Sequence, residues 1–147
     1  MEYNVWVDGA YSQWNKRGGC SFLILTNNTH IGSKSVRVEL ANPTHAETVA
    51  VGLAASFLLE SGIKFTRQDV VIFNVDCQST VTFCNKYLRS GKTYVNSNEK
   101  LVIDNMLTLK KLSEKCRITF EKVKGHKDVL NPNTYVDRLA KIAIRRE

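Results

Sequence analysis

Residues 44–61 form the segment that most limits how this chain can fold. They follow a helical pattern in which apolar side chains occupy most sides, and Gly62 ends the predicted helix. A helix that is apolar on most sides must be covered by other elements, so it belongs deep inside a domain. The short apolar run Val70–Val75 comes next and is typical of a central strand. The two segments together predict a layered protein with a buried helix and a buried strand.

The rest of the pattern predicts strands before this helix and mostly helices after it. Residues 3–8 alternate, with Tyr3, Val5 and Val7 on one face, as expected for a strand. Asn27-Asn28 suits a hairpin turn between two further β-rich runs. The order of elements predicts an α/β fold in which an antiparallel hairpin region leads into a parallel crossover. The remaining predicted elements are strands at 20–26, 31–40 and 118–123 and helices at 78–88, 100–115 and 134–146.

The length of 147 residues suits a single domain spanning residues 1–147. Hydrophobic residues make up 43% of the chain, so a core can form without disulfides or a structural metal. The four cysteines have no zinc-ligand spacing. No apolar run approaches the roughly 20 residues of a membrane span, and the N-terminus does not resemble a signal peptide. These features predict a soluble, cytoplasmic protein without a membrane partner.

The positive charge of the chain is concentrated in one stretch. The net charge is +7, and residues 86–127 alone carry eleven basic and four acidic side chains, which is also a balance of +7. Evenly distributed surface lysines would not give this pattern. We therefore expect a local basic surface that binds a polyanion, with nucleic acid favoured because no amphipathic membrane anchor accompanies the charge.

Two aspartates occur where predicted strands end. Asp8 ends the first strand, and Asp76 directly follows Val70–Val75. A single aspartate in such a place is usually a turn former. Two of them can share a site if their strands are parallel neighbours, because ligands bind outside the carboxyl ends of such strands.

Two further acids belong to predicted helices. Glu47 heads a line of the buried helix that continues through Val51, Ala54 and Leu58. A carboxylate on this inward line is costly unless a cation compensates its charge, which favours a functional role. Asp137 opens the last helix, where the helix dipole explains an acid equally well. If the four acids converge, divalent cations such as Mg²⁺ would neutralise them and could catalyse phosphodiester cleavage.

Six short motifs occur in the order and spacing of one known family. The motifs are Val7-Asp8-Gly9, Gly18-Gly19, Ala46-Glu47, Asp76-x-Gln78, Val123-Lys124-Gly125-His126 and Asn133-x-x-x-Asp137-x-Leu139-Ala140. Each motif is weak alone, and their shared order is specific. By these motifs the chain resembles the type 1 ribonuclease H family over essentially its whole length.

The resemblance implies a five-stranded mixed sheet flanked by helices, with three antiparallel strands followed by parallel strands. It implies that Asp8, Glu47, Asp76 and Asp137 bind two Mg²⁺ ions, which Mn²⁺ could replace. The implied reaction is hydrolysis of the RNA strand of an RNA–DNA hybrid, leaving 3′-hydroxyl and 5′-phosphate ends. His126 would assist proton transfer or product departure.

The resemblance also implies how a monomer would hold the hybrid. Gln78 and the backbone near Gly9 are expected to contact the RNA strand, where the 2′-hydroxyl separates RNA from DNA. Basic side chains after the second helix are expected to hold phosphates. The implied substrate-binding residues are Gly9, Gln78, Asn133, Lys86, Arg89 and Lys92.

Two other functions fit the same fold class. One is a DNA endonuclease, such as a junction resolvase or a transposase-like strand-transfer enzyme, which the Asp76-x-Gln78 and Val123–His126 motifs argue against. The other is a catalytically silent nucleic-acid-binding module, which the presence of all four carboxylates and His126 disfavours. Fold alone does not decide among them.

Overall fold

The computed structural model describes residues 1–14, 16–40, 45–90, 100–123 and 132–145. Within these ranges every predicted strand and helix is present, and their ends differ from the prediction by a few residues. No described helix has both the length and the apolar character needed to cross a membrane. The elements are β1 (Glu2–Ser12), β2 (Arg17–Thr26), β3 (Thr29–Glu39), α1 (His45–Glu60), β4 (Val70–Val75), α2 (Gln78–Ser90), α3 (Lys100–Ser113), β5 (Arg117–Lys122) and α4 (Pro132–Arg145).

The five strands form one mixed sheet in the order β3-β2-β1-β4-β5. The first three strands are antiparallel neighbours, whereas β4 pairs parallel to both β1 and β5. Asn27 and Asn28 make the turn between β2 and β3 with φ values of 50° and 62°. Two consecutive left-handed residues suit a two-residue hairpin turn, in agreement with the prediction.

Helices cover both faces of the sheet. α1 packs on one face, where the thiol of Cys20 donates a hydrogen bond to the carbonyl of Ala46, and α3 packs against α1. α4 packs on the opposite face, where the hydroxyl of Ser21 donates a hydrogen bond to the carbonyl of Val136. α1 is buried along most of its length, as its apolar sequence predicts.

Candidate active site

Two aspartates meet at one edge of the sheet because β1 and β4 are parallel. Trp6 lies opposite Asn74 in the register of these strands. Asp8 and Asp76 each follow two residues later, so they reach the same level of the sheet. Asp8 lies within β1 and is only 4% exposed, whereas Asp76 lies just past β4 and is half-buried.

Glu47 reaches the same edge from the first turn of α1. Its side chain is 8% exposed, and the backbone N–H of Cys77 donates a hydrogen bond to Glu47 Oε1 at 3.2 Å. α1 can begin this close to β1 because position 9 is glycine. A Cβ at Gly9 would lie 2.7 Å from the Cβ of Ala46, which is closer than carbon atoms pack. Gly9 thus allows Glu47 to lie beside Asp8.

Asp8, Glu47 and Asp76 form a three-carboxylate cluster. One oxygen of each residue lies within 4.8 Å of the others, and the described ranges contain no second such group of His, Cys, Asp or Glu. The backbone N–H of Gly9 donates a hydrogen bond to Asp8 Oδ1 at 2.9 Å. Asp8 Oδ2 is buried and accepts no hydrogen bond from the described residues. A buried oxygen without a donor calls for an explanation, and a bound cation is one.

The proximity of these acids opposes their ionisation. Burial raises the pKa of Asp8 to about 8, and the negative charge of Asp76 and contact with Asp137 add to this increase. Burial also raises the pKa of Glu47 to about 10, with further contributions from a hydrogen bond to Asp76 and from its charge. The cluster therefore holds protons at a pH where exposed carboxyls are ionised.

We expect the metal-free protein to lose stability as pH rises from about 5 to about 8. Folded Asp8 keeps its proton to a higher pH than in the unfolded chain, so the folded state binds more protons in this window and the free energy of unfolding falls. The side chain of the Asp8→Asn variant cannot ionise, so the free energy of unfolding of the variant should exceed that of the wild type by an amount that grows with pH. We expect this difference to reach about 2 kcal/mol or more at about pH 8, since one pKa unit is worth about 1.4 kcal/mol.

Urea unfolding in the presence of a chelator, repeated across this pH range, measures the effect. Glu60→Gln is the matched control because Glu60 is an exposed carboxylate at the other end of α1. Its substitution removes an equal formal charge without touching the cluster. Parallel pH profiles for Asp8→Asn and the wild type would contradict the prediction.

Asp137 approaches the cluster from α4 on the other side of the sheet edge. Contact with its carboxyl group and its negative charge both contribute to the raised pKa of Asp8, so the two carboxyl groups lie close together. Lys141 Nζ lies 3.0 Å from Asp137 Oδ2, one helical turn away. Asn133, the other motif residue of this helix, is buried at its start. α4 thus brings the fourth predicted carboxylate next to Asp8.

The expected substrate-binding residues lie in different places. Gln78 and Lys86 line an open groove of about 510 Å³ on α2, together with Ser79, Thr82 and Phe83. Arg89 is exposed in the last turn of α2, further from the cluster. Lys92 and His126 lie outside the described residues.

Among the described residues of the basic stretch 86–127, the part around the end of α3 does not share a surface with the carboxylates. Arg117 pairs with Val70 at the start of β4, whereas the acids follow the end of β4. Arg67 Nη1 donates hydrogen bonds to the carbonyls of Ser113 and Cys116, which places the end of α3 at that same distant edge. Lys110, Lys111 and Lys115 therefore lie away from the carboxylates, and the prediction was wrong for this part of the stretch.

Three further residues shape the site and were not predicted from the sequence. Lys141 follows Asp137 by four positions, a spacing that would have indicated an ion pair. Cys77 contributes only its backbone N–H, and Ser21 holds α4 through its hydroxyl. The contribution of a backbone N–H depends on the path of the chain and leaves little trace in residue type.

The six motifs, the sheet order and the acidic cluster agree with the comparison to known families. A family model described as RNase H matches residues 1–145. The chain belongs to the RNase H family. The family and the fold class predicted from the sequence are therefore both confirmed. A search of curated protein sequences gives no match for this RNase H chain.

Solved structures show the same fold at low sequence identity. The N-terminal RNase H domain of Rv2228c from Mycobacterium tuberculosis, solved as a fusion with maltose-binding protein, is 18% identical with a TM-score of 0.70. That similarity covers 98% of this chain and 94% of the other. LC11-RNase H1, isolated from compost by a metagenomic approach, is 15% identical with a TM-score of 0.69, covering 97% and 95%. RNase H1 from the halophilic archaeon Halobacterium salinarum NRC-1 is 15% identical with a TM-score of 0.64, covering 97% of both chains.

Proposed function

We propose that this RNase H chain hydrolyses the RNA strand of RNA–DNA hybrids and leaves 3′-hydroxyl and 5′-phosphate ends. The observation that carries the proposal is the cluster of Asp8, Glu47 and Asp76, located at the carboxyl end of two parallel strands in a chain of this family. A monomer suffices for the chemistry, because the three clustered acids and Asp137 all come from one chain.

The donor set fits divalent cations. Carboxylate oxygens are the ligands that Mg²⁺ prefers, and Asp8 Oδ2 is buried without a hydrogen-bond donor among the described residues. Burial, followed by the neighbouring acids, raises the pKa values of Asp8 and Glu47, and a bound cation would offset both effects. We assign Asp8, Glu47, Asp76 and Asp137 as ligands of two Mg²⁺ ions, which Mn²⁺ could replace. Bound cations would acidify water and stabilise negative charge on the departing oxygen.

The chain's own residues then orient the reacting groups. Water loses a proton as its oxygen bonds to phosphorus, the bond from phosphorus to the 3′ oxygen breaks, and the 3′ oxygen takes up a proton. The N–H of Cys77 holds the Glu47 carboxylate in place, and the ammonium of Lys141 restrains Asp137. We assign proton transfer or product departure to His126.

The substrate is held on both sides of the cluster. We assign contacts to the RNA strand to Gly9, Gln78 and Asn133, and contacts to phosphates to basic side chains of the α2 region. The groove that contains Gln78 and Lys86 supports this assignment, because it begins two residues after Asp76. The 2′-hydroxyl is the feature that lets a protein select RNA at such a contact. The phosphate contacts are Lys86, Arg89 and Lys92.

A gel assay that compares RNA–DNA hybrid, duplex RNA and duplex DNA, with and without Mg²⁺, tests the proposal. We expect cleavage of the RNA strand of the hybrid only, and only with the metal. End labelling of the products identifies the 3′-hydroxyl and 5′-phosphate. Cleavage of branched DNA without action on hybrid would instead indicate a DNA endonuclease, and hybrid binding without turnover in Mn²⁺ would indicate a silent binding module.

We expect hybrid affinity to fall steeply with salt, because each phosphate contact releases counterions. Lys86→Ala should reduce the slope of log affinity against log salt by about one. Lys115→Ala is the matched control, because it removes an equal charge at the opposite edge of the sheet and should leave the slope unchanged. Affinity measured in a chelator at several salt concentrations gives both slopes. An equal decrease for both variants would contradict the placement of phosphates along α2.

A further inference from the structure

The turn between β1 and β2 presents an aromatic side chain to solvent. Trp14 is 96% exposed, the highest exposure of any large hydrophobic side chain in the described ranges. An indole this exposed removes almost no apolar surface from water, so it does not contribute to the core. Tryptophan is enriched where proteins bind partners, since a large flat ring is available with little loss of conformational freedom.

The hairpin that carries Trp14 projects past the acidic cluster. Pairing between β1 and β4 ends at Trp6 and Asn74, whereas pairing between β1 and β2 continues to Ser12 and Arg17. From Asp8 to Ser12 the strand rises about 13 Å, and Trp14 lies beyond. A nucleic acid that follows this hairpin would place Trp14 about four or more nucleotides from the cleaved bond, at about 3.4 Å per nucleotide.

Hydrogen bonds to the end of β3 fix the hairpin tip. The hydroxyl of Tyr11 donates a hydrogen bond to the carbonyl of Leu40 at 3.0 Å, and the N–H of Leu40 donates to the carbonyl of Lys16 at 3.4 Å. Lys16 has a φ of 51°, as in a tight turn. These hydrogen bonds therefore restrain the turn that contains Trp14.

The surroundings of Trp14 are cationic. Lys16 is exposed and Arg17 is half-buried at the start of β2. Arg17 lies opposite Glu39 in the register, and Arg37 precedes Glu39 by two residues. Lys16 and Arg17 thus lie within three residues of Trp14, and Arg37 lies opposite Gly19 on the neighbouring strand, a local excess of positive charge that complements a phosphate backbone.

We propose that Trp14 is a stacking platform for an unpaired base that flanks the hybrid. Bases inside a duplex are covered on both faces by their neighbours, whereas an unpaired base beside the hybrid offers a free face to this indole. An aromatic ring beside cations is the combination with which proteins hold single-stranded nucleic acid. The inference rests on the proposed function and assigns hybrids with a single-stranded extension as the preferred substrate.

Two hybrids with the same duplex, one blunt and one with an unpaired extension, test this assignment. We expect the KM of the wild type for the extended hybrid to be about tenfold lower, with kcat unchanged, because stacking adds binding away from the cleaved bond. Trp14→Ala should lose this preference and cleave blunt hybrid as the wild type does. Trp14→Phe should retain part of it, and Gln13→Ala, an exposed polar neighbour in the same turn, should retain all of it.

A binding measurement without turnover gives an independent readout. The chain has two tryptophans, so Trp6→Phe leaves Trp14 as the only indole. In a chelator, we expect the fluorescence of Trp14 to be quenched by the extended hybrid and not by the blunt one.

The outcomes separate this inference from the proposed function. No cleavage of either hybrid by the wild type would contradict the proposed function. Equal KM values of the wild type for the two hybrids would overturn the role of Trp14 while leaving the proposed function intact. An equal increase of KM for both hybrids in Trp14→Ala would do the same. Equal quenching by both hybrids would also overturn it, since the indole would then contact the duplex.

Discussion

Asp8→Asn should abolish hybrid cleavage while leaving the protein folded. The substitution preserves the size of the side chain but removes the negative charge and one anionic oxygen from the centre of the cluster. We expect a decrease in kcat/KM on the order of 10³-fold or more, since metal-assisted charge stabilisation is worth several kcal/mol. Single-turnover cleavage of a labelled hybrid in Mg²⁺ measures the loss.

The expected increase in stability excludes misfolding as the cause. Unfolding lets the wild-type Asp8 release the proton that it holds in the folded state, which favours the unfolded chain as pH rises, whereas the side chain of Asp8→Asn does not ionise in either state. In a chelator the variant should therefore unfold at higher urea concentration than the wild type above about pH 6. Glu60→Gln removes the same charge from the surface at the far end of α1 and should cleave hybrid normally. Robust cleavage by Asp8→Asn would refute the assignment of the site.

Gly19→Ala should damage both stability and activity, because β2 and α4 touch at this position. A Cβ on Gly19 would overlap the carbonyl of Ala140, a backbone atom that cannot rotate away. α4 must therefore shift, at a cost of about 3 kcal/mol by comparison with overpacked cores. The shift also moves Asp137, so we expect kcat/KM to fall by about tenfold to a hundredfold.

Gly18→Ala is the matched control on the same strand. A Cβ there would lie 2.9 Å from Leu40 Cδ1, the end of a side chain that can adjust. We expect a change in unfolding free energy below about 1 kcal/mol and near-normal cleavage. Urea unfolding and hybrid cleavage, measured for both variants, compare the two positions directly. Equal destabilisation by the two substitutions would show that contact with α4 is not what requires glycine.

The sequence was sufficient to predict the elements whose periodicity reflects burial. The apolar line behind Glu47 placed its carboxylate on the inward side of α1, where the structure has it buried. The end of β4 was predictable because its apolar run stops just before Asp76. The end of β1 was less predictable from the residues near Asp8. β1 continues to Ser12, since its pairing with β2 persists past the residues that alternate.

Features that depend on the direction of distant elements were not predictable. Charge counting grouped Lys86 with Lys115, although α3 carries the second of these to the opposite edge of the sheet. The need for glycine at positions 9 and 19 follows from helices that come much later in the chain. The distance between Asp8 and Asp137 likewise depends on how α4 crosses β1 and β2.

The two-sided pairing of β1 has a consequence for the order of folding. Its partner β2 is adjacent in the chain, whereas β4 begins about sixty residues later, so the first three strands can associate through local contacts before the long connection closes. Asp8 and Asp76 approach each other only in that second event. Repulsion within the acidic cluster therefore opposes the late, long-range step of folding and leaves the early meander unaffected, so a nascent chain can build three of its five strands before these acids meet.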